Sequence, residues 1–273
     1  MRNILCLILS VNILLGQVVN AEPIISGKWV QGGLLKGKTD PANKVFVFKR
    51  EVKVTNKGHF VFGLGRDTAK QIELTIESPE GKKQRYQYEV EQRHYATQKI
   101  EGVEQKYVAP PPEVSQRIKR EAAKIWKARQ QTTESLEYAL GFDWPAEGPV
   151  TGVYGSQRVF NGVPKRPHYG LDIAGPVGTK VVAPAAGRVS LRDNDMYYSG
   201  GTLIVDHGYG VSSTFIHLSK ILVGEGDYVA RGQLIAEIGA TGRVTGPHLD
   251  WRINWFDQRL DPELLLPPQQ KPK

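Results

Sequence analysis

The sequence predicts a mainly β protein with a small N-terminal antiparallel β domain, a connecting α-helix and a C-terminal β-sheet domain. Three observations predict this class. Apolar and polar residues alternate with period two between residue 22 and about residue 107, a basic segment with helical spacing follows a proline cluster, and glycine- and valine-rich apolar stretches fill the chain after Phe142. The 273 residues, 40% of them hydrophobic, suffice for two domains.

Residues 1–21 are predicted to be a signal peptide. A short polar start containing Arg2 precedes an apolar run from Ile4 to Leu15, and Ala21 ends the segment before the polar Glu22. The apolar run is too short for a comfortable membrane span, so a retained membrane anchor is the weaker interpretation. The sequence therefore predicts a secreted protein of the periplasm or cell envelope, cleaved after Ala21.

The cysteine count and the net charge exclude some kinds of catalytic site and some classes of partner. The only cysteine, Cys6, lies in the signal segment, so the mature chain has no disulfide framework, thiolate metal site or cysteine nucleophile. The net charge of +8 is spread along the chain without a nucleic-acid motif. We therefore expect no nucleic-acid partner, and an anionic polymer of the envelope suits an exported basic protein better.

Residues 22–109 are predicted to form the N-terminal β domain. Apolar and polar residues alternate from Ile72 to Glu77, as they do in a half-buried strand. Asn56–Gly58 and Ser78–Gly81 have the composition of hairpin turns. His59 and His94 stand beside no other ligand-type residue, so we assign both a structural role.

Residues 110–141 are predicted to contain the connecting helix. Three consecutive prolines end the β pattern, and apolar residues then recur at helical spacing at positions 114, 118, 122 and 125. Basic residues lie among them. A solvated helix face explains these charges as well as contact with an acidic polymer does, so we interpret the segment as a linker.

Residues 142–266 are predicted to form the second β domain, and residues 267–273 a disordered tail without apolar residues. Short apolar stretches predict its strands. They are Lys180–Ala183, Gly187–Leu191, Thr202–Val205, Val211–Phe215 and Leu234–Ile238.

Ligand-type side chains are concentrated in this second domain. From His248 to Trp255 the side chains alternate, so His248 and Asp250 share one face of a strand and the apolar residues share the other. His168 and Asp172 are four residues apart, which again places both on one side of an extended segment. Two adjacent strands can thus converge on one metal ion.

These motifs resemble those of the lysostaphin-type zinc endopeptidases, which cut the peptide cross-links of peptidoglycan. The matching segments are His168 to Asp172, Ile216–Ser219 and His248 to Asp250, within a similarity that extends over roughly Phe142 to Leu264. The resemblance implies the β-sheet peptidase fold of that family. It also implies one Zn²⁺ ion held by His168, Asp172 and Asp250, with His217 and His248 as catalytic residues beside the reacting water.

Asp250 departs from the family pattern, which has a histidine at this position. A carboxylate is an accepted zinc ligand, so a His-Asp-Asp site preserves the metal, but its second negative charge makes the ion a weaker Lewis acid. Arg252 points to the same face of the strand and is positioned to pair with Asp250, which would favour an empty pocket. The sequence leaves both outcomes open.

Other readings of the polar residues are less well supported. His207 lies in a glycine-rich turn, where a hydrogen-bonding role is expected. Ser212, Ser213 and Ser219 lack the sharp glycine-flanked turn of a nucleophile elbow. A carrier-type barrel, suggested by the segment 223–229, lacks the lysine at a hairpin tip that such a domain needs.

The sequence thus predicts a zinc metalloendopeptidase that hydrolyses peptide cross-links of peptidoglycan, with one of His217 and His248 as the base. The alternative is a catalytically impaired protein of the same fold that binds peptidoglycan or regulates another cell-wall hydrolase. Asp250 is the chief support for this alternative. The N-terminal domain is expected to position the glycan, select the substrate or cover the cleft, and the sequence does not choose among these roles.

Overall fold

A computed structural model describes residues 22–269 of the chain. The signal peptide predicted for residues 1–21 lies outside the described residues, as do residues 270–273 of the predicted tail. The described part is mainly β, as predicted, with antiparallel sheets and two α-helices. No helix within it is both long and apolar enough to cross a membrane.

Eight strands precede the first helix. Strands β1, β2 and β5 form a three-stranded antiparallel sheet, while β4, β3, β6 and β7 form a second antiparallel sheet in that order. In β6 every second residue is buried, as the alternation predicts. The strands are β1 Ile24–Ser26, β2 Leu34–Lys38, β3 Lys44–Val47, β4 Arg50–Val52, β5 His59–Gly63, β6 Gln71–Glu77, β7 Lys83–Glu89 and β8 Thr97–Ile100.

One of the two predicted hairpin turns joins paired strands and the other does not. Ser78–Gly81 connects β6 to β7, which pair along their whole length. Asn56–Gly58 makes a tight turn, but it leads from β4 into β5, and these strands belong to different sheets. The hairpin prediction at Asn56–Gly58 is therefore wrong, because turn composition indicates a reversal of the chain but not the strand that it pairs with.

Two α-helices follow, α1 at Gln105–Val108 and α2 at Ser115–Gln130. Helix α2 begins after the proline cluster and docks on the C-terminal sheet instead of standing free in solvent. Arg117 pairs with Asp195, and Lys124 Nζ lies 3.3 Å from a carboxylate oxygen of Asp193. A short 3₁₀-helix, Pro112–Val114, lies between α1 and α2, and a second one, Glu137–Leu140, follows α2.

The C-terminal half forms one large sheet in which the central strands run in the order β17, β14, β15, β16, β19, β12 and β9. Strand β18 joins it by pairing with β13 and β16, and β20 pairs with β19. The strands are β9 Val150–Gly152, β10 Gln157–Phe160, β11 Val163–Pro164, β12 Leu171–Ala174, β13 Lys180–Val182, β14 Gly187–Met196, β15 Gly200–Gly208, β16 Val211–Ile221, β17 Tyr228–Val229, β18 Leu234–Ile238, β19 His248–Trp255 and β20 Gln258–Leu260, followed by the 3₁₀-helix Pro262–Leu265.

The two predicted domains share a hydrophobic core. One continuous cluster of buried side chains includes Phe62 and Leu74 from the N-terminal sheets and Phe215 and Trp251 from the large sheet. At the contact, a Cβ atom added to Gly63 would lie 2.6 Å from the side chain of Leu260. The N-terminal sheets are small, so they bury an apolar face against the larger sheet.

Strand β8 also crosses between the two halves. It pairs in parallel with β10, and β10 pairs with β11, so these three strands form a separate small sheet. The side chains of Val103, Val108 and Phe160 make a small core beneath it. This arrangement brings the chain that leaves the N-terminal sheets alongside the candidate site.

Candidate metal centre

The pairing of β12 with β19 positions the candidate ligands. Asp172 lies directly opposite Asp250, and Ala174 lies opposite His248. The alternating apolar residues of β19 are buried on the other face of the sheet. His168 precedes β12 in a loop, where its backbone N–H donates to the Ser156 carbonyl and its own carbonyl accepts from Gly155.

Three ligand-type side chains converge at this point. One ligand atom each from His168, Asp172 and Asp250 lies within 4.8 Å of the other two. The Nε2 atom of His168 is 3.1 Å from Asp172 Oδ1, and its Nδ1 atom is 3.9 Å from Asp250 Oδ2. All three residues are buried, with exposed fractions of 1%, 7% and 0%. The structure thus brings together the three residues that the sequence predicts as metal ligands.

The two predicted catalytic histidines lie beside this cluster. The ring centroids of His217 and His248 are 4.9 Å apart, and His248 Nε2 is 3.9 Å from Asp172 Oδ1. His217 has a left-handed backbone conformation, with φ of 69°, at an irregular point of β16 where the pairing with β15 shifts register. Such conformations of non-glycine residues cluster at functional sites.

Backbone carbonyls hold both imidazole rings in one tautomer. His217 Nδ1 lies 2.8 Å from the Thr241 carbonyl, and His248 Nδ1 lies 2.9 Å from the Gly246 carbonyl. A carbonyl only accepts, so the proton of each neutral ring resides on Nδ1 and Nε2 keeps its lone pair. Burial lowers the pKa of His217 to about 3, so this ring is neutral at neutral pH.

Both carboxylates of the cluster are paired with arginines. Arg252 donates two hydrogen bonds to Asp250, from Nε to Oδ1 at 2.9 Å and from a terminal nitrogen to Oδ2 at 2.5 Å. This is the pairing that the positions of the two residues on β19 indicate. Arg158 donates to Asp172 Oδ2 at 2.6 Å. Sequence reasoning missed Arg158, because it lies on β10 and no spacing in the sequence links it to Asp172.

These ion pairs decide the charge state of the two aspartates. Burial by itself would raise the pKa of Asp250, but the neighbouring Arg252, with a smaller effect from His168, outweighs burial and holds that pKa well below its usual value. Burial opposes ionisation of Asp172 in the same way, and His168 and Arg158 are among the groups that lower its pKa. Both carboxylates are therefore anionic, and two guanidinium groups balance them.

The residues present fit a divalent metal ion. Both ring nitrogens of His168 and the Oδ1 atom of Asp172 are buried without a well-aligned hydrogen bond, although His168 Nε2 and Asp172 Oδ1 lie 3.1 Å apart. Buried polar atoms are normally satisfied, so this group of orphaned atoms indicates a missing partner of opposite polarity. Each oxygen of Asp250 accepts one hydrogen bond from Arg252, and a carboxylate oxygen has a second lone pair with which to bind an ion. Imidazole nitrogen and carboxylate oxygen are accepted zinc ligands.

The remaining histidines and the serines lie outside this cluster. His59 and His94 are exposed on the N-terminal half. His207 is fully buried between the Ala186 carbonyl and Ser213 Oγ, at 2.7 and 2.8 Å, and burial lowers its pKa to about 4. The pairing of His207 with Ser213 has no carboxylate behind it and no access to solvent, so it has a structural role.

Comparison with known proteins adds three relationships. The sequence profile of Peptidase family M23 matches residues 166–262, a range that contains all five predicted site residues. The chain is 40% identical over 113 residues to the peptidoglycan DD-endopeptidase ShyB of Vibrio cholerae, covering 41% of this chain and 24% of ShyB. It is 32% identical over 124 residues to the murein hydrolase activator NlpD of Escherichia coli, covering 45% of this chain and 31% of NlpD. The matches thus span less than a third of either curated relative.

One solved structure resembles nearly the whole chain. A crystal structure assigned to peptidase M23, from Pseudomonas aeruginosa, is 32% identical in sequence, with a TM-score of 0.70. The likeness covers 87% of this chain and 95% of that one. It therefore includes the N-terminal sheets as well as the large sheet that carries the site.

Proposed function

The chain belongs to peptidase family M23, and we propose that it is a zinc-dependent endopeptidase of the cell envelope. Its proposed reaction is the hydrolysis of peptide cross-links of peptidoglycan. One observation carries the proposal. A buried set of ligand atoms with unsatisfied polarity lies beside two imidazole rings whose Nδ1 atoms face backbone carbonyls, so the Nε2 atom of each neutral ring carries a free lone pair. The similarity to a peptidoglycan DD-endopeptidase supports the substrate class.

In this proposal His168, Asp172 and Asp250 hold a single zinc ion. Zinc supplies a Lewis acid that polarises the scissile carbonyl and acidifies water at neutral pH. Arg252 balances the extra charge that Asp250 brings, so the ligand set with its arginines stays close to neutral. The weakening of the Lewis acid that a second carboxylate would cause is thereby offset.

His217 and His248 carry out the proton transfers. The Nε2 atom of one ring accepts a proton from the attacking water, and that ring, once protonated on Nε2, passes the proton to the leaving amine. The other ring can hydrogen-bond the developing oxyanion only when its own Nε2 atom carries a proton. Both rings are locked by their Nδ1 contacts, so neither has to reorient during the reaction. His217 is 5% exposed, whereas His248 is half-buried and lies closer to solvent.

Digestion of isolated peptidoglycan tests the activity. The mature chain from Glu22 onward is expected to release soluble fragments with new amino groups, to stop when a chelator removes zinc, and to resume when zinc is returned. His217→Ala should abolish release, whereas His94→Ala, a matched change at an exposed histidine, should leave it unchanged. No release at any zinc concentration would contradict the proposal.

The ion pair between Arg252 and Asp250 supports a second candidate function. If this ion pair excludes the ion, the chain is a non-catalytic M23 protein that binds peptidoglycan peptides or regulates another cell-wall hydrolase, a role consistent with its similarity to a murein hydrolase activator. Such a protein binds peptidoglycan without cutting it. Its Asp250→His variant would bind zinc where the native chain does not.

Export to the periplasm or cell envelope belongs to the same proposal, because the substrate class is found there. Cell fractionation tests it. The protein should appear in the extracytoplasmic fraction with Glu22 as its first residue, and recovery of the full-length chain in the cytoplasm would contradict it.

A further inference from the structure

Arg243 lies at the edge of the candidate metal centre in the turn between β18 and β19. Its backbone N–H donates to the Tyr198 carbonyl. Its guanidinium carbon lies 4.8 Å from the ring centroid of Phe160 and 4.8 Å from that of Tyr198. Two aromatic rings, one at the end of β10 and one in the turn between β14 and β15, therefore hold the side chain in place, which reduces the entropy that a ligand must remove on binding.

The guanidinium group has no anionic partner within residues 22–269. Arg158 and Arg252 each pair with an aspartate of the centre, whereas no carboxylate lies within 4.0 Å of Arg243 and its side chain donates no hydrogen bond in the described chain. Burial lowers the pKa of Arg243 to about 10, so the group is still a cation at neutral pH. The guanidinium group is half-buried and positively charged, and none of its five N–H groups donates a hydrogen bond within the described residues. It is therefore available to bind an anionic ligand.

The turn that carries Arg243 also holds the two catalytic histidines. The carbonyl of Thr241 accepts from His217, and the carbonyl of Gly246 accepts from His248. Asp250, Arg252 and Arg158 lie close enough to Arg243 to influence its charge. Because Asp172 and Asp250 are each balanced by their own arginine, Arg243 adds an uncompensated positive charge at this place.

We propose that Arg243 binds a carboxylate of the peptide substrate beside the bond to be cut. The planar guanidinium fork matches a carboxylate in a two-point contact, and aromatic stacking leaves its edge free to make that contact. The inference rests on the proposed function, since it concerns recognition at the same site. It makes the chain selective for acidic peptides over peptides in which the carboxylates are amidated.

Binding of matched peptides tests this assignment without requiring turnover. The probes are the tripeptide L-alanyl-γ-D-glutamyl-L-lysine and the same tripeptide with carboxamides in place of its carboxylates. The full mature chain, titrated calorimetrically at physiological salt, is expected to bind the carboxylate form about tenfold more tightly. Arg243→Gln should lose this preference, and Arg243→Lys should retain a part of it.

A general attraction between a basic protein and an acidic peptide is the competing explanation. Lys44→Gln removes one positive charge from an exposed position on the N-terminal sheet, so it is the matched control and should retain the tenfold preference. Equal affinity of the native chain for both peptides, or an unchanged preference in Arg243→Gln, would overturn the proposal. If the native chain prefers the carboxylate peptide but does not hydrolyse peptidoglycan, the role of Arg243 stands and the proposed peptidase activity is wrong.

Discussion

Asp172 and Asp250 face each other across β12 and β19, and two like charges in this position disfavour the pairing unless other groups compensate them. Arg158 on β10 and Arg252 on β19 provide that compensation. The protein can therefore keep two ionised carboxylates buried before any ion is bound. Arg252 has two effects, because it balances the charge of Asp250 and shares the oxygens that an ion would use.

Replacing Arg252 with glutamine tests this balance. The metal-free variant is expected to lose about 3 kcal/mol of unfolding free energy, because a buried carboxylate is left without its partner. Zinc should restore part of the loss by replacing the missing positive charge. Urea unfolding with chelator and with zinc measures both effects.

Arg231→Gln is the control for that measurement, since its partner Asp143 is largely exposed and such pairs contribute little. If Arg252→Gln has the same urea unfolding midpoint as the native protein in the presence of chelator, Arg252 does not compensate the charge of Asp250.

His207 predicts a pH dependence of stability that is separate from the metal centre. Burial lowers its pKa from the usual 6.5 to about 4 in the folded protein, so the unfolded chain takes up the proton first as the pH falls. The contribution of His207 to the free energy of unfolding should therefore be constant above pH 7 and fall by about 3 kcal/mol between pH 6.5 and 4.

The His207→Gln variant isolates this contribution. Whatever its stability at pH 7, its unfolding free energy should fall less steeply with acid than that of the native chain, because one titrating group is gone. Parallel pH profiles for the two proteins would show that His207 is not the group responsible.

Strand β5 of the N-terminal sheet packs against the hairpin of β19 and β20, and β19 is the strand that carries two of the site residues. Gly63 is the contact residue, because a Cβ atom there would lie 2.6 Å from the Leu260 side chain and 2.9 Å from the Cβ of Trp255. Strand β19 carries His248 and Asp250 at its other end. The position of the N-terminal sheet is thus connected mechanically to the strand that presents the ligands.

Gly63→Ala should destabilise the protein by about 1–3 kcal/mol, because the added methyl group overpacks this contact. Gly246→Ala is the matched control, since a Cβ atom there meets nothing within 4 Å. Thermal unfolding of the two variants provides the comparison. A Gly63→Ala protein that melts at the native temperature would mean that the two sheets are not tightly packed.

At the scale of the whole molecule, the continuous core makes the two predicted domains interdependent. A shortened chain beginning at residue 110 would expose apolar side chains of the large sheet that β5 now covers and would lose the strand that pairs with β10. We expect this shortened chain to be insoluble or to unfold at a markedly lower temperature. A soluble fragment with the native melting temperature would establish an independent domain boundary.

Much of this architecture is predictable from the sequence, and the reasons for the exceptions are physical. Period-two alternation in β6 and β19 identifies the buried faces and places His248 and Asp250 on one face, whereas the grouping of His168, Asp172 and Asp250 as one ligand set comes from the resemblance to lysostaphin-type peptidases. Alternation shows that a face is buried but not what covers it, so the shared core was not predictable. The contact of Arg158 with Asp172 depends on two segments that meet only in the folded chain.

The most direct test is the zinc content of the purified mature chain, measured by elemental analysis beside its Asp250→His variant. We expect one zinc ion per native chain, removable by chelator, and one per variant chain. Zinc in the variant alone would contradict the proposed metal site. Asp250 would then be committed to Arg252, and the protein would be a binding member of peptidase family M23.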